Sequence, residues 1–243
     1  MKQIISQIEK EENIKILFLI ESGSRAWGWE SKDSDFDIRG VFIQDYLKVT
    51  DIKTQIDRKI DDKDITLWDL RKFLQLIIKS NPSVWEWLSS DIIYLEHPIR
   101  LQLKSIFEKC FSSYALKKHY TSMAKQNFEK YINQIGDKAN LKKYVYVLRS
   151  VACVDWIERY GTPPPKKHQE LLHLLEPNIR KFFNEIVRKK KKSESTEGAR
   201  NPQAEVFIMS HFNKQFEKDK SKFDLNEINS IFKNIVNSNG KKL

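Results

Sequence analysis

The segment that most restricts the fold is Ile14–Glu21, IKILFLIE, an almost unbroken apolar run of eight residues. Such a run is too short for a helix of its own and reads as a buried strand. Ser22-Gly23-Ser24 follows at once, in a chain holding only seven glycines among 243 residues. After a loop through WESKDS comes a second strand, DFDIRGVFI. Side chains alternate along a strand, so Asp35, Asp37 and Arg39 share one face, while Phe36, Ile38 and Phe42 share the other. The Phe/Ile face can enter a core. The Asp face presents two carboxylates one strand-repeat apart.

Carboxylates that close repel, and one of them tends to keep its proton unless a cation intervenes. Mg²⁺ takes carboxylate and phosphate oxygens and lets both stay ionised. Gly23 lets the backbone approach a phosphate closely, and Ser24 adds a hydroxyl and a backbone N–H at the start of a short helix. A phosphate-holding turn followed ten residues later by a metal-binding Asp-x-Asp is the combination that phosphoryl or nucleotidyl transfer needs.

Residues 2–12 read as a short helix with Ile4, Ile5 and Ile8 on one side. QIDRKIDDKDITLW reads as one or two further strands, and DLRKFLQLIIKS as a helix stopped by Asn81-Pro82. Pro82 suits the first turn of the next helix, PSVWEWLSS. From about residue 97 the pattern is nearly all helical. LKKYVYVLRSVACVDWIERYG is a strong helix ended by Gly161. RKKKKSESTEGARNPQ reads as a mobile surface loop. The expected architecture is an α/β N-terminal lobe, a small mixed sheet with flanking helices over residues 1–96, followed by an all-α helical lobe over 97–243.

Charge follows this division. Residues 1–100 hold 15 Lys+Arg against 18 Asp+Glu, and the remainder holds 28 against 15. A mildly acidic front and a basic back suit a metal-binding lobe beside a polyanion-binding one. Cys110 and Cys153 lack metal or redox spacing and read as buried free thiols. Neither a signal-peptide core nor an apolar run of membrane-spanning length is present, so a soluble cytoplasmic protein is expected, with no membrane partner.

GSRAWG, DSDFDIR, DITLWDLRKFLQLIIKSNPSVWEWLSS and LKKYVYVLRSVACVDWIERYGTPPP, in that order, resemble the DNA polymerase beta-type nucleotidyltransferase superfamily. They resemble most the predicted nucleotidyltransferases grouped with bacterial and phage RNA repair. The resemblance covers about residues 14–175.

It implies a third carboxylate on a neighbouring strand, for which Asp61, Asp62 and Asp64 are candidates. Asp64 is the choice, because DITLWDLRKF matches the family's strand-to-helix passage, with Asp62 in reserve. Asp35, Asp37 and Asp64 would then be the catalytic, metal-binding residues for two Mg²⁺ ions, or Mn²⁺ in their place. Gly23 and Ser24 would hold the triphosphate of an NTP such as ATP. Lys142, Tyr146 and Arg149 fall on one helix face, and Lys142 and Arg149 would reach the same triphosphate. Arg25 is either a further phosphate contact or a partner of Asp33 or Asp35. Arg39 reads as a structural ion-pair former.

The implied activity transfers a nucleoside monophosphate to an acceptor hydroxyl, an RNA end in the first instance, and releases pyrophosphate. A protein-modifying, toxin-like transferase and a non-catalytic nucleic-acid-binding module are the alternatives. Trp27 and Trp29 read as lid or core, Trp68, Trp85, Trp87 and Trp156 as core, and His168 as a surface residue.

Overall fold

The computed structural model describes residues 1–32, 34–46, 53–134, 136–192, 197–220 and 222–239. They form two compact units. One comprises Met1–Ala26, Asp35–Phe111 and Ser221–Leu243, the other Trp27–Ser34 and Ser112–Lys220.

In the first unit, α1 (Lys2–Glu12) precedes β1 (Ile14–Glu21), and α2 (Gly23–Trp27) begins directly after it. Then come β2 (Phe36–Gln44), β3 (Gln55–Ile60), β4 (Lys63–Asp69), α3 (Leu70–Ile78), α4 (Pro82–Leu88), β5 (Ile93–Leu95) and α5 (Pro98–Cys110). The strands make one sheet in the order β3-β4-β2-β1-β5. β2 and β4 are parallel, while the other neighbours are antiparallel. The β3–β4 hairpin at the sheet edge is what brings β4 back parallel to β2.

The expected alternation is present. Ile16 and Leu19 of β1, Ile38 and Phe42 of β2, Ile56 of β3, and Ile65 and Leu67 of β4 form one buried cluster, closed by Ile8 of α1. Phe18 meets Phe73 of α3 edge to face at 5.7 Å. Trp87 of α4 stacks on Trp68 at 4.0 Å. Gly40 is required by close approach, because a Cβ there would overlap the Phe18 carbonyl and the Leu19 side chain on β1.

The passage from β4 into α3 turns on Asp69, which is fully buried. Its carboxylate accepts from the Arg71 N–H at 2.8 Å, the Gln44 amide at 3.0 Å and the Tyr46 hydroxyl at 3.0 Å. An N-cap therefore also serves two donors from the neighbouring chain segment, buried Gln44 and half-buried Tyr46.

In the second unit, α6 (Ser113–Tyr131) and α7 (Leu141–Tyr160) pack together. They are followed by α8 (His168–Leu171), a 3₁₀ turn (Leu172–Leu174), α9 (Pro177–Lys192) and α10 (Pro202–Ser210). The last helix of the chain, α11 (Leu225–Asn239), belongs to the first unit. Gly161 closes α7 at φ 64°, the left-handed cap that glycine accepts most readily. Trp29 is fully buried, its ring 5.2 Å from His168 and 6.0 Å from both Tyr146 and Phe183. Lys190 donates to the Trp29 carbonyl at 3.4 Å.

Several expectations are corrected here. The first unit continues past residue 97 through α5 and takes in α11, so the compact units do not divide at 96/97. The expected fold class holds, a mixed sheet with flanking helices followed by a mostly helical region, to which a two-stranded sheet is added, β6 (Lys138–Asn140) with β7 (Glu197–Ala199). Arg188–Lys192 is the last turn of α9 rather than a loop, and residues 193–196, also read as loop, lie outside the described residues. His168 is buried, with Nδ1 2.7 Å from the Trp27 carbonyl. Cys153 is buried as expected, but Cys110 is only half-buried. Trp85 and Trp87 are core, whereas Trp68 and Trp156 are half-exposed. Among the described residues no helix is long and apolar enough to cross a membrane.

Replacing Asp69 by Ala removes the cap and strands the Gln44 and Tyr46 donors. The expected loss is about 2–4 kcal/mol of unfolding free energy, read as a lower urea midpoint.

Candidate active site

The site begins where the β1–β2 ladder ends. The Ser22 N–H donates to the Asp37 carbonyl at 2.8 Å, the last backbone rung before the chain turns into α2. Gly23 then adopts φ +60°, and a Cβ there would overlap the Asp37 carboxylate. Only glycine satisfies both conditions without displacing Asp37. Ser24 is buried in α2. Gly23 therefore has a structural role that the sequence reading did not assign, which is to leave room for a carboxylate of β2.

Parallel pairing sets Asp37 of β2 opposite Asp64 of β4. One nitrogen of Arg39 donates to both, to Asp37 Oδ1 at 3.1 Å and to Asp64 Oδ2 at 3.0 Å. Its other terminal nitrogen donates to the Asp64 carbonyl at 2.7 Å. Arg39 thus forms the expected ion pair, and it bridges two carboxylates at once. The Asp37 side chain is 30 % exposed and that of Asp64 is 48 % exposed, so solvent reaches both.

The other acids of this region separate clearly. Asp62 is exposed in the β3–β4 turn, with its carboxylate on Lys63 at 2.6 Å. Asp61 holds the turn at φ 52°. Asp35 is exposed immediately before β2. Arg25 packs 4.0 Å over the Phe36 ring, and its Nε lies 3.4 Å from the Asp35 carbonyl. Asp33, the other partner considered for Arg25, lies outside the described residues.

Glu21 is the residue that sequence reasoning missed. It is fully buried, accepts from the Asp37 N–H at 2.8 Å and is hydrogen-bonded by the Tyr94 hydroxyl. Burial pushes its carboxyl above the usual range, against the lowering effect of those hydrogen bonds. The available signal was that Glu21 is the one carboxylate ending an otherwise apolar strand.

The two helical candidates lie in the second unit. Lys142 is half-exposed in the first turn of α7. Arg149 is buried, its guanidinium 4.6 Å over the Trp27 ring and donating to the Lys166 carbonyl at 3.2 Å.

Carboxylate oxygens alone, side by side and open to water, suit a hard divalent cation. Asp37 and Asp64 fit such an ion with Arg39 released from between them. Among the described residues, no three His, Cys, Asp or Glu side chains converge on one point in the present arrangement.

The sequence profile of RlaP, described as the RNA repair pathway DNA polymerase beta family, matches residues 1–234. This chain belongs to the RlaP family. Membership bears out the resemblance carried by GSRAWG and DSDFDIR, and gives the chain a nucleotidyltransferase-like identity. A relative is the protein named "Uncharacterized protein YcgL" from Bacillus subtilis (strain 168). It is 38 % identical over 197 residues, which span 78 % of this chain and 75 % of that protein. A crystal structure of a nucleotidyltransferase-like protein from Exiguobacterium sibiricum 255-15 aligns over 100 % of this chain and 91 % of its own, with 15 % identity and a TM-score of 0.30.

Two outcomes follow from the geometry of this RlaP member. With Arg39→Met, Asp37 and Asp64 face each other without a counter-charge. The thermal midpoint at neutral pH should fall by about 3 °C, and millimolar Mg²⁺ should restore much of it. Glu21 binds its proton more tightly folded than unfolded. Wild-type stability therefore falls as pH rises from about 4.5 through the raised value. Glu21→Gln removes that titration, so urea unfolding should show the variant gaining on the wild type across this window.

Proposed function

We propose that this chain is a metal-dependent nucleotidyltransferase that moves a nucleoside monophosphate from an NTP to an acceptor hydroxyl, with pyrophosphate leaving. The observation that carries the reading is the parallel register that sets Asp37 beside Asp64. Family membership supports the reaction class. An RNA end is the acceptor we favour, because the RlaP description refers to RNA repair and because residues 101–243 hold 28 Lys+Arg against 15 Asp+Glu.

In this reading Asp35, Asp37 and Asp64 would hold two divalent ions, Mg²⁺ or Mn²⁺. When bound, such ions neutralise the triphosphate and lower the pKa of the attacking hydroxyl. The position of Asp62 in the hairpin turn favours Asp64 as the third carboxylate. The chain's own side chains do the remaining work. Gly23 and Ser24 present the backbone of the turn to the β- and γ-phosphates. Arg25 supplies a positive charge beside that turn. Glu21 fixes the backbone of Asp37 through the N–H it accepts. Arg39 holds Asp37 and Asp64 adjacent until they take up a cation. Within the second unit, the guanidinium of Arg149 lies over the Trp27 indole. A cytoplasmic location accords with this substrate set.

The test uses Mg²⁺, each NTP labelled at the α-phosphate, and either RNA or a cell lysate as acceptor. Label is expected on RNA, with release of pyrophosphate. Asp37→Ala should lower transfer by about 10²–10³-fold or more while the thermal midpoint stays within a few degrees. Unchanged transfer in that variant would remove the metal-site assignment. Label on protein would replace the RNA acceptor with a protein one. No label, with RNA binding retained, would leave a non-catalytic nucleic-acid-binding module.

A further inference from the structure

Within the second unit, the end of α6 and the start of α7 bring cations and aromatic rings into one row. Lys130 lies 5.0 Å from the centroid of the Tyr131 ring, and Lys143 lies 4.4 Å from the same ring. Lys143 also lies 5.3 Å from the Tyr146 ring, three residues on along α7. Tyr146 in turn packs edge to face on Trp27 at 5.1 Å. Lys130 is exposed, and Tyr131, Lys143 and Tyr146 are half-exposed. Neither Lys130 nor Lys143 is ion-paired among the described residues.

The charge here opposes what helix stability prefers. The N-terminus of a helix carries partial positive charge and favours acidic residues in its first turn. The first turn of α7 has none and instead holds Lys142 and Lys143. Positive charge on positive charge costs stability unless an anion is met there. The phenol of Tyr131 responds to the same field. Its hydrogen bond with Lys130, and then the charges of Lys130 and Lys143, hold its pKa below the usual range. Partly exposed aromatic rings set among such cations are the elements that single-stranded nucleic acid uses, bases stacking on the rings and phosphates meeting the cations.

We propose that this end of α6 and α7 is a binding site for single-stranded nucleic acid, with a base stacked on Tyr131 and the adjoining phosphates on Lys130 and Lys143. The site deepens the RNA-acceptor reading and rests on it for the choice of RNA. Recognition is through ring faces and backbone charge, so it tolerates sequence. A duplex, whose bases are already stacked, cannot offer a base to Tyr131.

The test is fluorescence anisotropy of the full chain with a labelled single-stranded RNA of about a dozen nucleotides, without NTP or metal. Tyr131→Ala should weaken binding about tenfold. Tyr131→Phe should keep wild-type affinity, since it retains the ring. Lys143→Gln should reduce the slope of log K against log salt by about 0.7, one single-strand phosphate contact. A duplex of the same sequence should bind more weakly and be insensitive to Tyr131→Ala. Unchanged single-strand affinity in Tyr131→Ala, or an equal loss for duplex and single strand, would overturn the proposal. The two readings fail separately. Label transfer to RNA with a KM for RNA untouched by Tyr131→Ala removes this site and keeps the acceptor. Tyr131-dependent binding of RNA that never becomes labelled keeps this site and removes the acceptor.

Discussion

The guanidinium of Arg39 between Asp37 and Asp64 is the interaction on which the pairing of β2 with β4 depends. Parallel pairing of β2 with β4 would otherwise set two half-exposed carboxylates directly opposite each other. Like charges facing across neighbouring strands destabilise a sheet. A single Arg two residues along the same strand offsets that repulsion from within the sheet and reaches the Asp64 backbone as well. The remaining parts accommodate this arrangement. Gly23 has no Cβ where Asp37 needs space, and Glu21 takes the Asp37 N–H just beyond the last backbone rung of the ladder.

The connection from α2 to β2 has a second consequence. Gly23 and Ser24 lie in the first unit, and so do Asp35 and Asp37, but Trp27–Ser34 between them belongs to the second. Within that unit Trp29 packs among Tyr146, His168 and Phe183, Arg149 lies over Trp27, and Lys190 donates to the Trp29 carbonyl. Gly28 at φ +85° turns the chain beside Gln169. Trp27 and Trp29 are thereby held by aromatic packing rather than left in a solvated loop.

This division explains what the sequence made legible and what it did not. The Phe/Ile face of DFDIRGVFI and the helical spacing of Leu70, Phe73, Leu74 and Ile77 are local patterns, and the structure repeats them, although from Gly40 on both faces of β2 are buried. The same alternation placed Asp37 and Arg39 on one face, whereas Asp35 precedes β2 and is exposed. Glu21 was not legible, because burial of a carboxylate at the end of an apolar strand depends on Tyr94, 73 residues away. His168 was misread because its only local context, KKHQE, is polar, whereas its burial comes from Trp27 and Trp29, far away in sequence. β6 and β7 are three residues each and pair across more than fifty residues, so neither carries a period of its own. The lysine run was read as loop from its charge, yet Ile179, Phe183, Ile186 and Val187 continue one buried helical stripe into it.

Arg39 can be weighed against a metal ion in the same physical terms. A guanidinium supplies one positive charge to two carboxylates, which leaves the group one negative charge in excess before Asp35 is counted. A divalent cation at the same place would balance the pair fully, and would do so at shorter range than an N–H donor allows. Arg39 therefore offsets the repulsion well enough for the sheet to form, and under the proposed function a doubly charged ion would balance the charge that it leaves. Were Asp37 and Asp64 matched by two arginines, no charge would be left to balance. Their partial exposure and the single guanidinium leave both carboxylates within reach of solvent cations.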